Sequence, residues 1–428
     1  MQPHILARTE AAWNKKLNAL RIDEAELGVR EIERGIVLPV RHHGQTVDQD
    51  EMFEGLFEGG VVTGKYTFVA GSLRNSAKPK TNYSCCFAYR PKTPPVQRDE
   101  TVVFGGIMYG HYGHTLIDGM SRMWWFVRNQ DTPYKLVFVV MPGESSEQAC
   151  KLLSLAGITP ERYEVITSPT QFSKVIVPNE AIHSLEGYVN VAWPSFFDLV
   201  ARRCSELSTI ETHEKLYLTR TALEHCDGVG EEYYERFFAS QGYHIVSPEQ
   251  LPLQDQIKLY AGADSIACTM GTLSHAAVFA REGAELTCLL RCGTSVMPQL
   301  IVNQVKRLDW TMFDAFLNAL PTEQGYGAYL YAPTKYFRSY LGLKGIDYRC
   351  TEDDEEQALR DNLYDYLQLW YSTYSDKRLF RAIKKKTIFD VLNSLSISLH
   401  GVSLSRADYE PKPKGLGGLI KRGVDKVL

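Results

Sequence analysis

Between Lys215 and Cys292 the chain alternates short apolar runs with longer amphipathic segments. The runs KLYL, HIV, SIACT and ELTCLL are too short for helices, and the segments between them place apolar residues three and four positions apart. Buried parallel strands have this length and composition, because helices cover both faces of a parallel sheet. Four strands joined by three helices predict a doubly wound α/β domain.

The N-terminal half repeats the alternation, with apolar runs such as TVVFGGIMYG, KLVFVVMP and KVIVP around the helical segment SSEQACKLLSLAGI. A chain of 428 residues also exceeds the usual size of one hydrophobic core. The sequence therefore predicts an N-terminal α/β domain over residues 1–190, a C-terminal α/β domain over residues 191–325, and a helical, basic extension over residues 326–428.

The motif GGIMYGHYGHTLIDGMSRMWW, residues 105–125, places a glycine-rich turn directly after a predicted strand. If a single helix starts near His114, then Asp118 and Arg122 follow at four-residue intervals and share one face with it. Open α/β sheets bind ligands at this position, after the carboxyl ends of strands. Two other interpretations stay open: an ordinary capped surface helix, and a metal site made of His111, His114 and Asp118.

Two further features of the C-terminal half are typical of anion binding. Arg220 follows the strand KLYL, where a guanidinium can pair with a diphosphate. The segment MGTLSHAAVF, residues 270–279, follows the strand SIACT, and a helix starting near Thr272 would direct free backbone amides at a phosphate. An ordinary strand-to-helix turn with a Ser or Thr cap explains the second feature equally well.

These stretches occur together and in an order that resembles the bacterial members of glycosyltransferase family 61. The resemblance covers Phe104 to Arg291 and rests on HYGH with its following Asp118, on LYLTR, and on GYHIVSPEQLPLQDQIKLYAGADSI with MGTLSHAAVF. Two departures stand out. Met270-Gly271-Thr272 replaces the usual His-Gly-Ala turn, and TALEHCDGVG lacks the basic residues that often follow the arginine strand.

The resemblance implies a GT-B fold, in which two Rossmann-like domains face each other across a cleft, and an inverting reaction with a nucleotide-sugar donor. It implies no metal cofactor. We favour Asp118 as the base, with His114 as the alternative if the carboxylate instead orients the imidazole. The implied roles are catalysis by Asp118 and His114, substrate binding by His111, Arg122, Gly110 and Tyr112, and donor nucleotide or phosphate binding by Arg220, Gly271, Thr272, Leu273, Ser274 and His275.

The charge distribution bears on partners and location. From Lys377 onward there are twelve Lys and Arg residues against four Asp and Glu, although the whole chain carries a net charge of −4. A basic, amphipathic tail favours peripheral contact with anionic lipid, and a helix packed on the N-terminal domain is the alternative. No nucleic acid partner is expected. The charged N-terminus and nine scattered cysteines predict a cytoplasmic protein, at the inner face of the cell membrane if the tail binds lipid.

The resemblance implies a glycan acceptor, such as a capsular or other surface polysaccharide. Two other classes of function stay open. One is a non-catalytic protein that binds glycan or nucleotide on the same fold, suggested by the changed glycine turn. The other is a metal-dependent hydrolase using His111, His114 and Asp118.

Overall fold

A computed structural model of the protein describes residues 3–42, 56–69, 71, 84–223, 227–318, 320, 322, 325 and 327–374. The basic tail beginning at Lys377, on which the prediction of membrane contact depends, lies outside the described residues. Within the described part of the chain, no helix combines the length and the apolar character needed to cross a membrane.

The strands of the described residues form two large sheets and two small ones. They are β1 (His4–Leu6), β2 (Arg21–Asp23), β3 (Val29–Glu33), β4 (Ile36–His42), β5 (Leu56–Val62), β6 (Ser84–Phe87), β7 (Val96–Met108), β8 (Lys135–Val140), β9 (Tyr163–Val165), β10 (Thr170–Pro178), β11 (Ile182–His183), β12 (Tyr188–Asn190), β13 (Lys215–Leu218), β14 (Gly228–Val229), β15 (His244–Val246), β16 (Ser265–Thr269), β17 (Glu285–Leu290), β18 (Asp309–Asp314) and β19 (Tyr329–Leu330).

The helices connect these strands and cover the sheets. They are α1 (Glu10–Ala19), α2 (Tyr112–His114), α3 (Met123–Arg128), α4 (Glu147–Leu155), α5 (Ser195–Leu207), α6 (Glu232–Ser240), α7 (Leu253–Gly262), α8 (Thr272–His275), α9 (Met297–Val305), α10 (Lys335–Lys344) and α11 (Glu352–Tyr374). The fold is therefore mixed α/β, as the alternation of apolar runs predicts.

The six-stranded sheet has the order β1-β18-β17-β16-β13-β15. Strand β16 pairs in parallel with both β13 and β17, and β13 pairs in parallel with β15. Every residue of β16 is buried, which is why this strand reads as a continuous apolar run rather than an alternating one. The order confirms a parallel sheet built from the four predicted strands, and the N-terminal β1 adds a strand beyond β18.

The eight-stranded sheet is mixed. Strands β10, β7, β8 and β9 run parallel in that order, whereas β3 and β4 pair with β10 in antiparallel fashion and β5 pairs antiparallel with β4. A wholly parallel, doubly wound sheet is therefore the wrong expectation for this half. The physical reason is that antiparallel neighbours need no crossover helix. Strands β3 and β4 follow one another along β10 in a single register, with Glu33 opposite Lys174 and Ile36 opposite Gln171.

The chain divides into two compact units. The first contains the described residues of Met1–Ala222 and Tyr234–Phe313, and the second those of Leu223–Tyr233 and Asp314–Leu428. In the second unit the strands β14 and β19 pair in parallel, and Tyr366, Leu367 and Trp370 of α11 pack into an apolar cluster with Leu330. The predicted division at residues 190 and 325 stays a prediction.

Candidate functional site

The glycine-rich motif does not form one helix. It consists of the three-residue α2, a π-helical turn over Thr115–Gly119, and the separate α3 from Met123. The amide of Met120 bonds to the carbonyl of Thr115, which is the wider hydrogen-bond spacing of a π turn. The continuous helix predicted from His114 onward is therefore wrong. Glycine at 119 lowers helix propensity where the turn widens, and π turns of this kind are frequent at functional sites.

His114 and Asp118 form a hydrogen-bonded pair within this turn. Nδ1 of His114 lies 2.9 Å from Oδ2 of Asp118, and the hydroxyl of Ser184 donates to Oδ1 at 2.7 Å. The carboxylate is 6% exposed, whereas the imidazole is 34% exposed. A carboxylate that also accepts from Ser184 is itself held in place, and it fixes the imidazole in one orientation.

Two aromatic rings surround the His114 imidazole. The His111 ring lies edge-on to it with 5.5 Å between centroids, and the Tyr109 ring lies 5.8 Å away. The pKa of His111 is lowered, first by desolvation and then by the charges of His114 and Arg220. His111 is exposed, so an uncharged imidazole stands beside His114 at the surface.

Arg122 does not share a face with His114 and Asp118, because the π turn changes the register. Its side chain is 1% exposed and pairs with Glu180, the closest atoms being 3.2 Å apart. The guanidinium also donates to the carbonyls of Pro178, at 2.8 Å, and Gly71. The structure thus places Arg122 in the interior, where it joins the motif to the end of β10, and its role in substrate binding stays a prediction.

Gly110 and Tyr112, which are also predicted to bind substrate, contact different parts of the structure. The amide of Gly110 donates to the Glu144 carboxylate at 2.7 Å. Tyr112 lines a cleft of about 610 Å³ together with Lys151 of α4 and Gln256 of α7. Burial raises the pKa of the Tyr112 phenol, so the hydroxyl stays protonated and can only serve as a neutral hydrogen-bonding group.

The residues predicted to bind the donor lie at the carboxyl edge of the six-stranded sheet. Arg220 follows β13, Gly271 follows β16, and Arg291 follows β17. Since β16 lies between β13 and β17 in the sheet, the glycine turn has an arginine in the connection on each side. Arg291 was absent from the predicted site, although its position directly after the run ELTCLL parallels that of Arg220 after KLYL. The same reasoning could have found it.

Gly271 is required at the turn on two grounds. Its φ of +142° is a conformation that residues with a side chain rarely adopt. In addition, a Cβ at this position would lie 2.9 Å from Nη2 of Arg291. The glycine therefore allows the Arg291 guanidinium to lie directly against the backbone of the turn.

The residues after Gly271 form a short helix with internal hydrogen bonds. The helix starts at Thr272 as predicted, and its α-helical part has four residues before a 3₁₀ turn over Ala276–Phe279. The buried Ser274 hydroxyl accepts from the amide of Gly271 at 3.0 Å and contacts Gln299 of α9. The carbonyl of Leu273 accepts from the Tyr260 phenol. These contacts assign Ser274 a role in holding the turn, while phosphate binding by it stays a prediction.

His275 lies near residues of the glycine-rich motif and near Arg291. Its pKa falls to about 3, because burial disfavours the cation and because the positive charges of His114 and His111 do the same. The Asp118 carboxylate acts in the opposite direction and Arg291 in the same one. At neutral pH the ring is therefore uncharged, and its buried Nε2 has no hydrogen-bond partner among the described residues.

The first motif and the glycine turn are in contact. α2 lies against α8, and a Cβ at Gly113 would lie 3.1 Å from Oγ1 of Thr272 and from Cε1 of His111. A Cβ at 113 would require the Thr272 and His111 side chains to shift by a few tenths of an ångström. The structure thus brings together His111, His114, Asp118, Thr272 and His275, with the two arginines at the adjoining strand ends. In the described part of the chain, no three His, Cys, Asp or Glu side chains are grouped so that they could hold a metal ion.

The region that carries these residues matches a known protein family. Residues 112–288 match the family model described as Glycosyltransferase 61, which includes His114, Asp118, Arg220 and the Gly271 turn. No curated protein matches the chain. The match confirms the resemblance found in the sequence. Over residues 112–288 the chain is therefore similar to glycosyltransferase family 61.

Proposed function

We propose that the protein transfers a sugar, with inversion, from a nucleotide-sugar donor to a hydroxyl group of a surface glycan. One observation carries the proposal: a hydrogen-bonded His–Asp pair lies against a glycine turn that has an arginine at the strand end on each side. Such a transfer needs a base for the acceptor hydroxyl and positive charge for the departing nucleotide. The pair supplies the first, and the arginines supply the second.

On the acceptor side, the geometry favours His114 as the base and Asp118 as the residue that orients it. Both oxygens of the buried carboxylate are already engaged, one by His114 and one by Ser184. Nε2 of the more exposed imidazole is the ring nitrogen that would take the acceptor proton. This order reverses the sequence-based preference for Asp118 as the base, and it follows the general logic in which a buried carboxylate holds an imidazole and stabilises its protonated form.

On the donor side, Arg220 and Arg291 would bind the diphosphate. Guanidinium groups pair with phosphate oxygens through two parallel hydrogen bonds, and their charge is permanent at any physiological pH. As the bond to the sugar breaks, negative charge accumulates on the leaving phosphate, and two fixed cations stabilise it in the transition state. The backbone of the Gly271 turn lies close enough to Arg291 to share this task.

The two large sheets fit the GT-B arrangement that the family resemblance implies. In that arrangement the parallel sheet with its arginines would be the donor domain, and the sheet ending in the glycine-rich motif the acceptor domain. The same proposal places the enzyme in the cytoplasm and includes a tail that contacts lipid. The identity of the donor sugar is to be found by titration. Capsular or similar polysaccharide is the proposed acceptor class.

Replacing the two arginines tests the donor site. We expect one of UDP, GDP, CMP or their sugars to raise the Tm of the wild type. Arg220→Met and Arg291→Met should each weaken the binding of that nucleotide by about tenfold or more, because a charged hydrogen bond contributes about 1.5–3 kcal/mol. Thermal shift and calorimetric titration measure both effects. Arg307→Met, which removes an exposed arginine paired with Glu282, is the matched control.

No shift of the wild type with any member of this panel would contradict donor binding and would favour a protein that binds only glycan. Arginine variants that bind as tightly as the wild type would place the diphosphate elsewhere in the chain.

Metal removal tests the proposal that arginines alone stabilise the leaving group. We expect the transfer rate in excess EDTA to stay within about twofold of the untreated rate, because fixed cations need no bridging ion. Complete loss in EDTA, restored by Mg²⁺, Mn²⁺ or Zn²⁺, would instead support a metal bound by His111, His114 and Asp118.

A further inference from the structure

We infer that His275 recognises a hydroxyl of the sugar being transferred, through its buried Nε2, and so contributes to donor sugar specificity. This inference rests on the proposed function and deepens it. It also differs from the role predicted for His275 from the sequence, which is to bind the nucleotide or its phosphates.

The first argument is position. In a direct displacement, the sugar lies between the base that activates the acceptor and the phosphate that departs. His275 ends α8, which lies against α2 with His114 of the acceptor side, and the Arg291 guanidinium of the donor side lies against the Gly271 turn that begins α8. A side chain located between these two sets of groups faces the sugar rather than either end of the donor.

The second argument is hydrogen bonding. Buried polar atoms without a partner are rare, because leaving one unsatisfied costs about 1–3 kcal/mol. Nε2 of His275 is such an atom among the described residues. The cost is removed when a ligand provides the missing partner, so an enclosed, unpartnered ring nitrogen beside a reaction centre indicates a ligand contact.

The third argument is charge. The burial that lowers the pKa of His275 to about 3 keeps the ring neutral at physiological pH. A neutral imidazole adds no charge for a phosphate, and the permanent cations Arg220 and Arg291 lie nearby for that purpose. A sugar hydroxyl both donates and accepts, so it can pair with Nε2 in either tautomer. A phosphate oxygen without a proton only accepts, so it could pair only with the tautomer in which Nε2 carries the hydrogen.

The test compares two ligands on three proteins. The ligands are UDP and the UDP-sugar that most stabilises the wild type, or GDP and its sugar if guanine nucleotides are preferred. Each ligand is titrated into the wild type, His275→Phe and His275→Gln. We expect His275→Phe to bind the nucleoside diphosphate within about twofold of wild type and the nucleotide sugar about tenfold more weakly, the effect of one lost hydrogen bond. His275→Gln places an amide near the former Nε2 and should recover part of the difference.

Equal weakening of both ligands by His275→Phe would assign the residue to the phosphates, and no weakening of either would assign it to packing. Both results overturn the inference while leaving the proposed function intact. A wild type that binds none of UDP, GDP, CMP or their sugars overturns the proposed function itself. The Tm of each variant without ligand shows that it is folded, and the Gln variant provides the comparison if the Phe variant is not.

Discussion

Replacing His114 with alanine is expected to lower kcat by about 10²–10⁴-fold, the usual contribution of a general base. Donor affinity should change by less than about threefold, because the phosphate contacts belong to Arg220 and Arg291. The measurement is steady-state kinetics at saturating donor, combined with titration of the same donor. Added imidazole should restore part of the rate, since a small base can occupy the space left by the side chain.

Asp118→Asn is the companion variant. Its amide cannot accept a proton, and it no longer stabilises the imidazolium that forms when His114 takes one. We expect a loss of about 10–10³-fold, no deeper than that of His114→Ala. Removing the Ser184 hydroxyl should cost only up to about tenfold, the effect of one hydrogen bond. The exposed His244 on β15 provides the control, and His244→Ala should leave kcat unchanged. A deeper loss in Asp118→Asn than in His114→Ala would make the carboxylate the base.

Arg122→Ala is expected to destabilise the fold by about 3–5 kcal/mol, because it leaves the buried Glu180 carboxylate without its cation. Arg122 is among the largest fully buried side chains described, and it joins the motif to two backbone carbonyls. Chemical unfolding monitored by circular dichroism measures the change. Arg128→Ala, which removes an exposed arginine at the end of α3, should change stability by less than about 1 kcal/mol.

A second variant separates structure from substrate binding. Combining Arg122→Ala with Glu180→Gln removes the carboxylate charge that would otherwise be left unpaired, and it should recover part of the lost stability. If Arg122→Ala instead keeps the wild-type stability and raises KM, then the side chain contacts substrate.

The sequence predicts the six-stranded sheet well, because its strands are buried on both faces and so read as uninterrupted apolar runs. The N-terminal half is harder to predict. β3 has a largely exposed pattern and β4 a mostly buried one, yet both join the same sheet by antiparallel pairing with β10, more than a hundred residues later. Pairing over such a distance is determined by tertiary packing, which local patterns do not record.

In the candidate site, too, local sequence predicts some residues and not others. The His114–Asp118 pair was found from spacing alone, because four residues make nearly one turn in both α and π geometry. Arg122, four residues further, was misplaced because the π turn adds a residue to the register. Ser184 could not have been found, since 66 positions separate it from Asp118 and its contact depends on the fold. Arg291 had a usable pattern, an arginine directly after a buried strand.

The anomeric configuration of the product tests the central claim most directly. Proton NMR would follow the reaction of the wild type with the nucleotide sugar that stabilises it and with a surface glycan acceptor. A single displacement assisted by His114 predicts a product whose anomeric configuration is opposite to that of the donor, formed at least about a hundredfold more slowly by His114→Ala. Retained configuration, or equal rates in the two proteins, would contradict it.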